Sequence, residues 1–348
     1  MVITLRPIDP HVHLRGEEYP INYLASGIEQ AVQMSFAAIL EQPNPRPNLI
    51  DVDTIRRRRL AAQEYTQERI VHGCHIGLTT NLAQVESAFK AAAAHWQEIR
   101  AVKAFWVHST GNMGLLDPDY QKAVWRKARE VSFKGPFIQH CEDERQFTGT
   151  FDYKRPITHS QRQNEHAETI QVEEQIRNAQ DVGFEGIFYI AHVSSPDTID
   201  YLETLKGKLP FKIIREVTWH HLFRNTRHYK QQGNRLKMNP PVRDPPVQAK
   251  HLEYALQGKF DIIGSDHAPH PLNLKDGQEP PSGIPALPFY PKGIEKLIML
   301  GMPMGMRDSL LFHTANSVFD LRLQPKRISI EYDPSMWNIY GYNPFEDA

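Results

Sequence analysis

Eight short apolar runs, alternating with seven stretches of helical spacing, recur through most of this 348-residue chain. The runs fall at 2–8, 36–40, 70–76, 99–105, 136–140, 186–192, 211–217 and 260–266. Helical patterns occupy 21–33, 54–67, 82–96, 118–131, 166–182, 196–205 and 247–256, and the alanine-rich 82–96 has high intrinsic propensity. Strands covered on both faces read as unbroken apolar runs, and strand–helix alternation places them in a parallel sheet. Eight such units predict a (β/α)8 barrel over residues 1–330, with 331–348 as a tail packed on it.

Composition narrows the function classes. A hydrophobic content of 40% with 10% aromatics is enough for a large core. The balance of 40 basic against 41 acidic residues argues against a dedicated nucleic-acid or membrane-surface binder. The one basic run, Arg56-Arg57-Arg58-Arg59, precedes Leu60-Ala61-Ala62 and reads as a solvated helical turn. Cys74 and Cys141 are too few for a disulfide framework, which suits a reducing cytosol. With neither a signal pattern nor a bilayer-length apolar run, the expected location is cytoplasmic.

In this fold the chemistry lies where the strands end. The first run is closed by Asp9-Pro10 and leads into His11-Val12-His13, whose imidazoles leave one face of an extended backbone. Two converging neutral imidazoles suit a divalent ion of the zinc type, although an isolated pair is more often structural. Later runs add to it: the second leads on to Asn44, the fourth carries Lys103, and His140, His192 and Asp266 end the fifth, sixth and eighth. Four histidines, an aspartate and a lysine at one rim could hold two metals. Asp266 can ligate and also accept a proton. Lys103 has two readings, an ion pair with a barrel carboxylate or a carbamate, formed with carbon dioxide, that bridges two metals.

These residues stand in motifs that resemble the dihydroorotases of the amidohydrolase superfamily. The matching segments are His11-Val12-His13-Leu14-Arg15, Gln42-Pro43-Asn44, Val102-Lys103-Ala104-Phe105 and His140-Cys141-Glu142-Asp143. Ala191-His192-Val193-Ser194, Lys237-Met238-Asn239-Pro240-Pro241-Val242-Arg243 and Ser265-Asp266-His267-Ala268-Pro269-His270 continue the match. The resemblance implies reversible hydrolysis of dihydroorotate to carbamoyl aspartate by zinc-activated hydroxide. It assigns His11, His13 and Asp266 to a first zinc ion, His140 and His192 to a second, and carboxylated Lys103 to the bridge. It makes Asp266 the proton carrier, and Arg15, Asn44 and His270 the groups that grasp the substrate carboxylate. A homodimer and association with a transcarbamoylase stay open. A hydantoinase-like or allantoinase-like relative, or an inactive scaffold for a pyrimidine-pathway enzyme, are the competing readings. Related barrels carry a β-sandwich built from both termini, and with so few residues before His11 this one is expected to be nearly bare.

The chain departs from the pattern in places. Gly16 stands where an aspartate is common, Ser35-Phe36 replaces a glycine-containing pair, and Glu41-Gln42 replaces a methionine. After Gly283-Ile284-Pro285 come Ala286-Leu287 in place of Gly-x-Glu. The segment Ser109-Thr110-Gly111-Asn112-Met113-Gly114 has the composition of a loop that closes over substrate, or of an ordinary turn. Cys141 reads as a small buried thiol, Trp219-His220-His221 as pocket lining or packing, and the aromatic residues from Tyr332 to Phe345 as cover for the barrel exterior.

Overall fold

The computed structural model describes residues 1–108 and 112–346. Its strands are β1 (Val2–Leu5), β2 (Ile8–Val12), β3 (Ala38–Glu41), β4 (Val71–Gly77) and β5 (Ile99–Phe105). They continue with β6 (Pro136–His140), β7 (Ile187–Ile190), β8 (Lys212–Thr218), β9 (Ile262–Gly264) and β10 (Arg327–Ile330). Strands β2 to β9 lie side by side in chain order, and every neighbouring pair is parallel. Helices cover the outside. The expected (β/α)8 barrel is the observed one.

The seam between β9 and β2 is narrow. Val12 and His267 form a single parallel bridge, and the His13 N–H donates to the His267 carbonyl at 2.7 Å. Asp9 Oδ1 accepts the Ser265 N–H at 3.1 Å, so a buried carboxylate joins the first barrel strand to the last. Alternation along the strands divides the apolar residues. Ala38, Leu40, Ala101, Ile138, Tyr189, Ile214 and Ile262 gather in one cluster, and Phe312 and Ala315 close its lower mouth. Ile39, Val102, Phe137, Phe188 and Val217 belong to the larger cluster under the helices. Trp125 of the helix Pro118–Glu130 stacks on Phe188 with ring centroids 5.4 Å apart. Truncating it to alanine would cost about 3–5 kcal/mol.

The first strand differs from expectation. Residues 2–8 are not one barrel strand: β1 pairs antiparallel with β10 in a two-stranded ribbon, and the barrel strand begins only at Ile8. Pro7 lacks an N–H and interrupts the ladder, while Arg6 turns aside to donate to the carbonyls of Ser35, Phe36 and Arg69. Nor do Asp9 and Pro10 end the strand. Both lie inside β2, whose register shifts between Asp9 and Val12. The run at 260–266 is pared to Ile262–Gly264 for a related reason, since Asp266 has a left-handed backbone (φ 47°).

Two departures in sequence acquire a physical reason. A Cβ on Gly16 would lie 2.1 Å from the Arg46 carbonyl oxygen, so the position excludes every side chain, aspartate included. Ser35 adopts φ 56°, the conformation that a glycine usually provides, with its carbonyl held by Arg6 Nε at 3.1 Å. In the tail, Tyr340 donates to Gln30 Oε1 at 2.8 Å and Phe345 stacks on Phe289. Among the described residues no helix is long and apolar enough to cross a membrane.

Candidate active site

At the C-terminal rim the strands deliver His11, His13, Arg15, Asn44, His140, His192 and Asp266 to one chamber, joined by Phe105, Asn239, Ser282 and Gly283. Its cavity, about 40 Å³, has room for ions or waters. A larger cleft of about 370 Å³ lies beside it, against the helix Val52–Thr66, but its lining is mostly apolar and holds none of the clustered histidines. Donor chemistry picks out the smaller space.

His11 and His13 converge as their spacing predicts, with help that the spacing did not show. His11 Nδ1 faces Glu216 Oε1 at 2.7 Å, and His13 Nδ1 faces Asn44 Oδ1 at 2.5 Å. Each acceptor favours the tautomer protonated on Nδ1 and leaves Nε2 bare. Those two Nε2 atoms lie 3.3 and 3.1 Å from Asp266 Oδ1. Burial pushes the Asp266 carboxyl up, but His11, His13 and His220 outweigh it and hold it well below the usual carboxylate range. Burial lowers His13 to about 4, so its imidazole is neutral, as a ligand requires.

On the other side, His140 Nδ1 and His192 Nε2 face each other at 3.1 Å, while His140 Nε2 meets Glu142 Oε2 at 2.7 Å. The His192 ring is 5.4 Å from that of His11, so the two donor groups adjoin. His192 Nδ1 has no hydrogen-bond partner. Burial, with His140 and Lys103 nearby, drives His192 far below its ordinary value. Lys103 is fully buried, its Nζ lacks a hydrogen-bond partner, and burial lowers it to about 8. Among the described residues the ion-paired reading of Lys103 therefore finds no partner within bonding distance, and burial eases the amine toward its neutral form.

The third part is cationic. The buried Arg15 places Nη2 2.8 Å from His270 Nε2 and donates from Nε to the Pro269 carbonyl at 3.0 Å. Tyr19 Oη contacts His270 Nδ1 at 2.7 Å, and His270 Nε2 also meets the Ser282 carbonyl at 2.9 Å. Arg15, His192 and Asp266 all have positive φ, at 52°, 40° and 47°. Non-glycine residues hold that conformation at a cost of roughly 1–3 kcal/mol each, and such costs gather at functional sites.

Sequence reasoning missed several contributors. Glu216 accepts from Tyr189 Oη at 2.6 Å and from the His192 N–H at 3.0 Å besides meeting His11. Its signal was a glutamate in register with inward-facing Ile214. Glu142 stood in a matching segment without an assigned role, and Tyr19 left no comparable trace. Asn44, expected at the substrate, lines the chamber, and its carbonyl oxygen also faces His13 Nδ1. His220 is buried with neither ring nitrogen hydrogen-bonded, and His221 meets Thr218 and the Pro240 carbonyl. Cys141 is a buried thiol, as expected. Of the proposed closing loop, Ser109-Thr110-Gly111 lies outside the described residues. The arginine run is corrected on one side: Arg58 and Arg59 are only partly exposed, and Arg58 donates to both oxygens of Glu41.

Together these features define a class: a parallel barrel whose strand ends bring together metal-competent imidazoles, a low-pKa carboxylate and a buried guanidinium. Known proteins narrow it. The chain is similar to dihydroorotases, being 26% identical over 280 residues to that of Staphylococcus epidermidis, with 77% of this chain and 61% of that protein covered. It is also 26% identical over 354 residues to the dihydroorotase of Methanosarcina mazei, covering 94% of the chain and 73% of the relative. The chain thus spans about six tenths of the staphylococcal relatives' length. Its fold matches Saccharomyces cerevisiae dihydroorotase, solved with 5-fluoroorotic acid, at TM-score 0.73 and 16% identity over 92% of this chain and 86% of that one. An L-hydantoinase from Arthrobacter aurescens matches at 0.76 and 16%, over 99% and 80%. No family model matches.

Proposed function

We propose that this chain is a metal-dependent dihydroorotase, interconverting dihydroorotate and carbamoyl aspartate. The observation that carries the reading is the buried Arg15, which lines the same chamber as His11, His13 and Asp266 and has His270 against its guanidinium. A guanidinium and an imidazole suit a carboxylate on a cyclic amide, a group that simple hydantoins lack. Relatives named dihydroorotase support the same choice over a hydantoinase.

The donor set fits divalent metal. His11, His13 and Asp266 offer three atoms within 4.8 Å of one another, and Lys103 Nζ and His192 Nδ1 are buried without partners. His11, His13 and Asp266 would hold one zinc ion and His140 and His192 a second, with carboxylated Lys103 between them. When bound, the ions would supply Lewis acidity that acidifies water and polarises a carbonyl. Asp266, held ionised by its neighbours, takes the proton from the attacking water. As the ring C–N bond breaks and the new C–O bond forms, the same carboxyl returns that proton to the departing nitrogen. Arg15 and His270 hold the substrate carboxylate throughout, fixing the ring's orientation over Asp266. Glu216 and Asn44 keep the histidine tautomers in place.

The test is turnover of dihydroorotate beside hydantoin and dihydrouracil, with metal content and native mass measured on the same sample. Two divalent ions, one carbon dioxide adduct and preference for dihydroorotate are expected. Loss on chelation and return with zinc should follow. Preference for a substrate without a carboxylate would overturn the assignment.

A further inference from the structure

Lys275 lies in the short helix Leu272–Lys275, just past the Asp266–His270 segment, and is fully buried. Its Nζ donates to the carbonyls of Lys237 at 2.8 Å, Pro281 at 3.0 Å and Gly283 at 2.9 Å. Three acceptors need three N–H bonds, and only the ammonium form has three. Burial, Lys237 and Arg15 all pull this lysine down from its ordinary range, yet a neutral amine would turn a lone pair on one of these carbonyls. The contacts therefore describe a cation held by main-chain dipoles.

What it holds is informative. The carbonyls belong to two separate segments that both line the reaction chamber, one leading to Asn239 and the other carrying Ser282 and Gly283. The Gly283 N–H also donates to the Lys237 carbonyl at 3.0 Å, and Lys237 Nζ reaches Ser282 Oγ at 2.8 Å. Gly283 has φ 134°, and a Cβ there would lie 2.9 Å from Arg15 Nη2. The Ser282 carbonyl faces His270 at 2.9 Å. The strap under Lys275 thus sets the wall against which both carboxylate-binding side chains rest.

We infer that Lys275 is a positioning residue for the substrate carboxylate, acting through the 281–283 segment on Arg15 and His270 without touching the reacting atoms. This inference rests on the dihydroorotase reading. Lys275→Met keeps the side chain's length and removes the charge and all three donors. Its expected effect is a KM for dihydroorotate raised about tenfold or more, with kcat within about threefold and metal content unchanged. Dihydrouracil, which lacks the carboxylate, should lose much less. Amide hydrogen exchange at residues 281–284 should accelerate in the same variant. Lys275→Gln, with fewer donors but still polar, is the second variant should Lys275→Met fail to fold, and the same KM and exchange changes are expected of it.

A lowered melting temperature with unchanged KM would overturn the inference, leaving Lys275 a purely structural residue. So would a parallel fall in kcat and metal content, which would move the effect to the metal ligands. Failure of the wild-type enzyme to turn over dihydroorotate would sink the underlying reading instead. In that case the exchange measurement still decides the strap, because unchanged exchange at 281–284 would refute it without any substrate.

Discussion

Two buried clusters in this barrel have the residue types of a metal site, yet they differ in what the protein leaves undone. Inside the rim, His11, His13 and Asp266 converge, and outside the sheet, under the helix Val52–Thr66, so do Glu41, His72 and Cys74. The second cluster is balanced. Arg58 grips Glu41 at 2.6 and 3.0 Å, His72 adds a contact at 3.0 Å, and burial raises the Cys74 thiol well out of its reactive range. A cation entering there would have to displace the guanidinium. Among the described residues no arginine or lysine bonds the first cluster, and its neighbourhood contains a buried amine and an imidazole nitrogen with no hydrogen-bond partner. Donor identity and proximity are therefore shared, and unmet bonding capacity separates a site from a core ion pair.

The largest effect that would break this contrast is at Asp266. Asp266→Asn should lower turnover about a thousandfold or more while the melting temperature stays close to wild type. Retained activity by steady-state assay would remove Asp266 from the chemistry. Glu41→Gln should do the opposite, destabilising the fold by about 3–5 kcal/mol because the half-buried Arg58 and His72 lose the carboxylate charge they share. Denaturant titration reads that loss, and turnover per folded molecule should not change.

Acid provides a related test. Burial pushes the Glu41 carboxyl up, but Arg58 and His72 prevail and bring it from 4.5 down to about 2. Its folded pKa being depressed, its contribution is complete above pH 4.5 and fades as pH falls toward 2, a span worth about 3 kcal/mol. Glu41→Gln should lack that part of the acid slope, and identical slopes in the two proteins would contradict the pairing. Arg15→Met comes next, with KM for dihydroorotate rising about a hundredfold and metal content unchanged. Smallest of all is Cys74→Ala, at about 1 kcal/mol of stability, and the zinc count per chain should not move. A lost ion would make the outer cluster a metal site after all.

How much was legible beforehand varied with the range of the interactions. The runs at 99–105 and 136–140 became β5 and β6 residue for residue, because buried parallel strands advertise themselves locally. Asp9 misled, since a carboxylate beside proline reads as a strand terminator. Only contact with Ser265, across the seam from the far end of the barrel, makes it a strand residue. Arg58 misled likewise, as an arginine among arginines suggests solvent until Glu41 faces it from the sheet. Candidate ligands were readable because each lies within an apolar run or just past its end. Glu216, Glu142 and Lys275 were not, because their roles consist of partners in other segments.

The chain's own order of residues determined the barrel and marked out the rim, with His11, His13, Lys103, His140, His192 and Asp266 as its candidate ligands. Periodicity and strand termini are local properties, written within a few residues of each position. Tertiary structure alone decided which of two metal-like clusters is neutralised, which imidazole nitrogen faces the chamber, and what Asn44 and Lys275 hold. Each of those depends on a charge or a carbonyl brought from a distant part of the chain, and only the folded barrel fixes that distance.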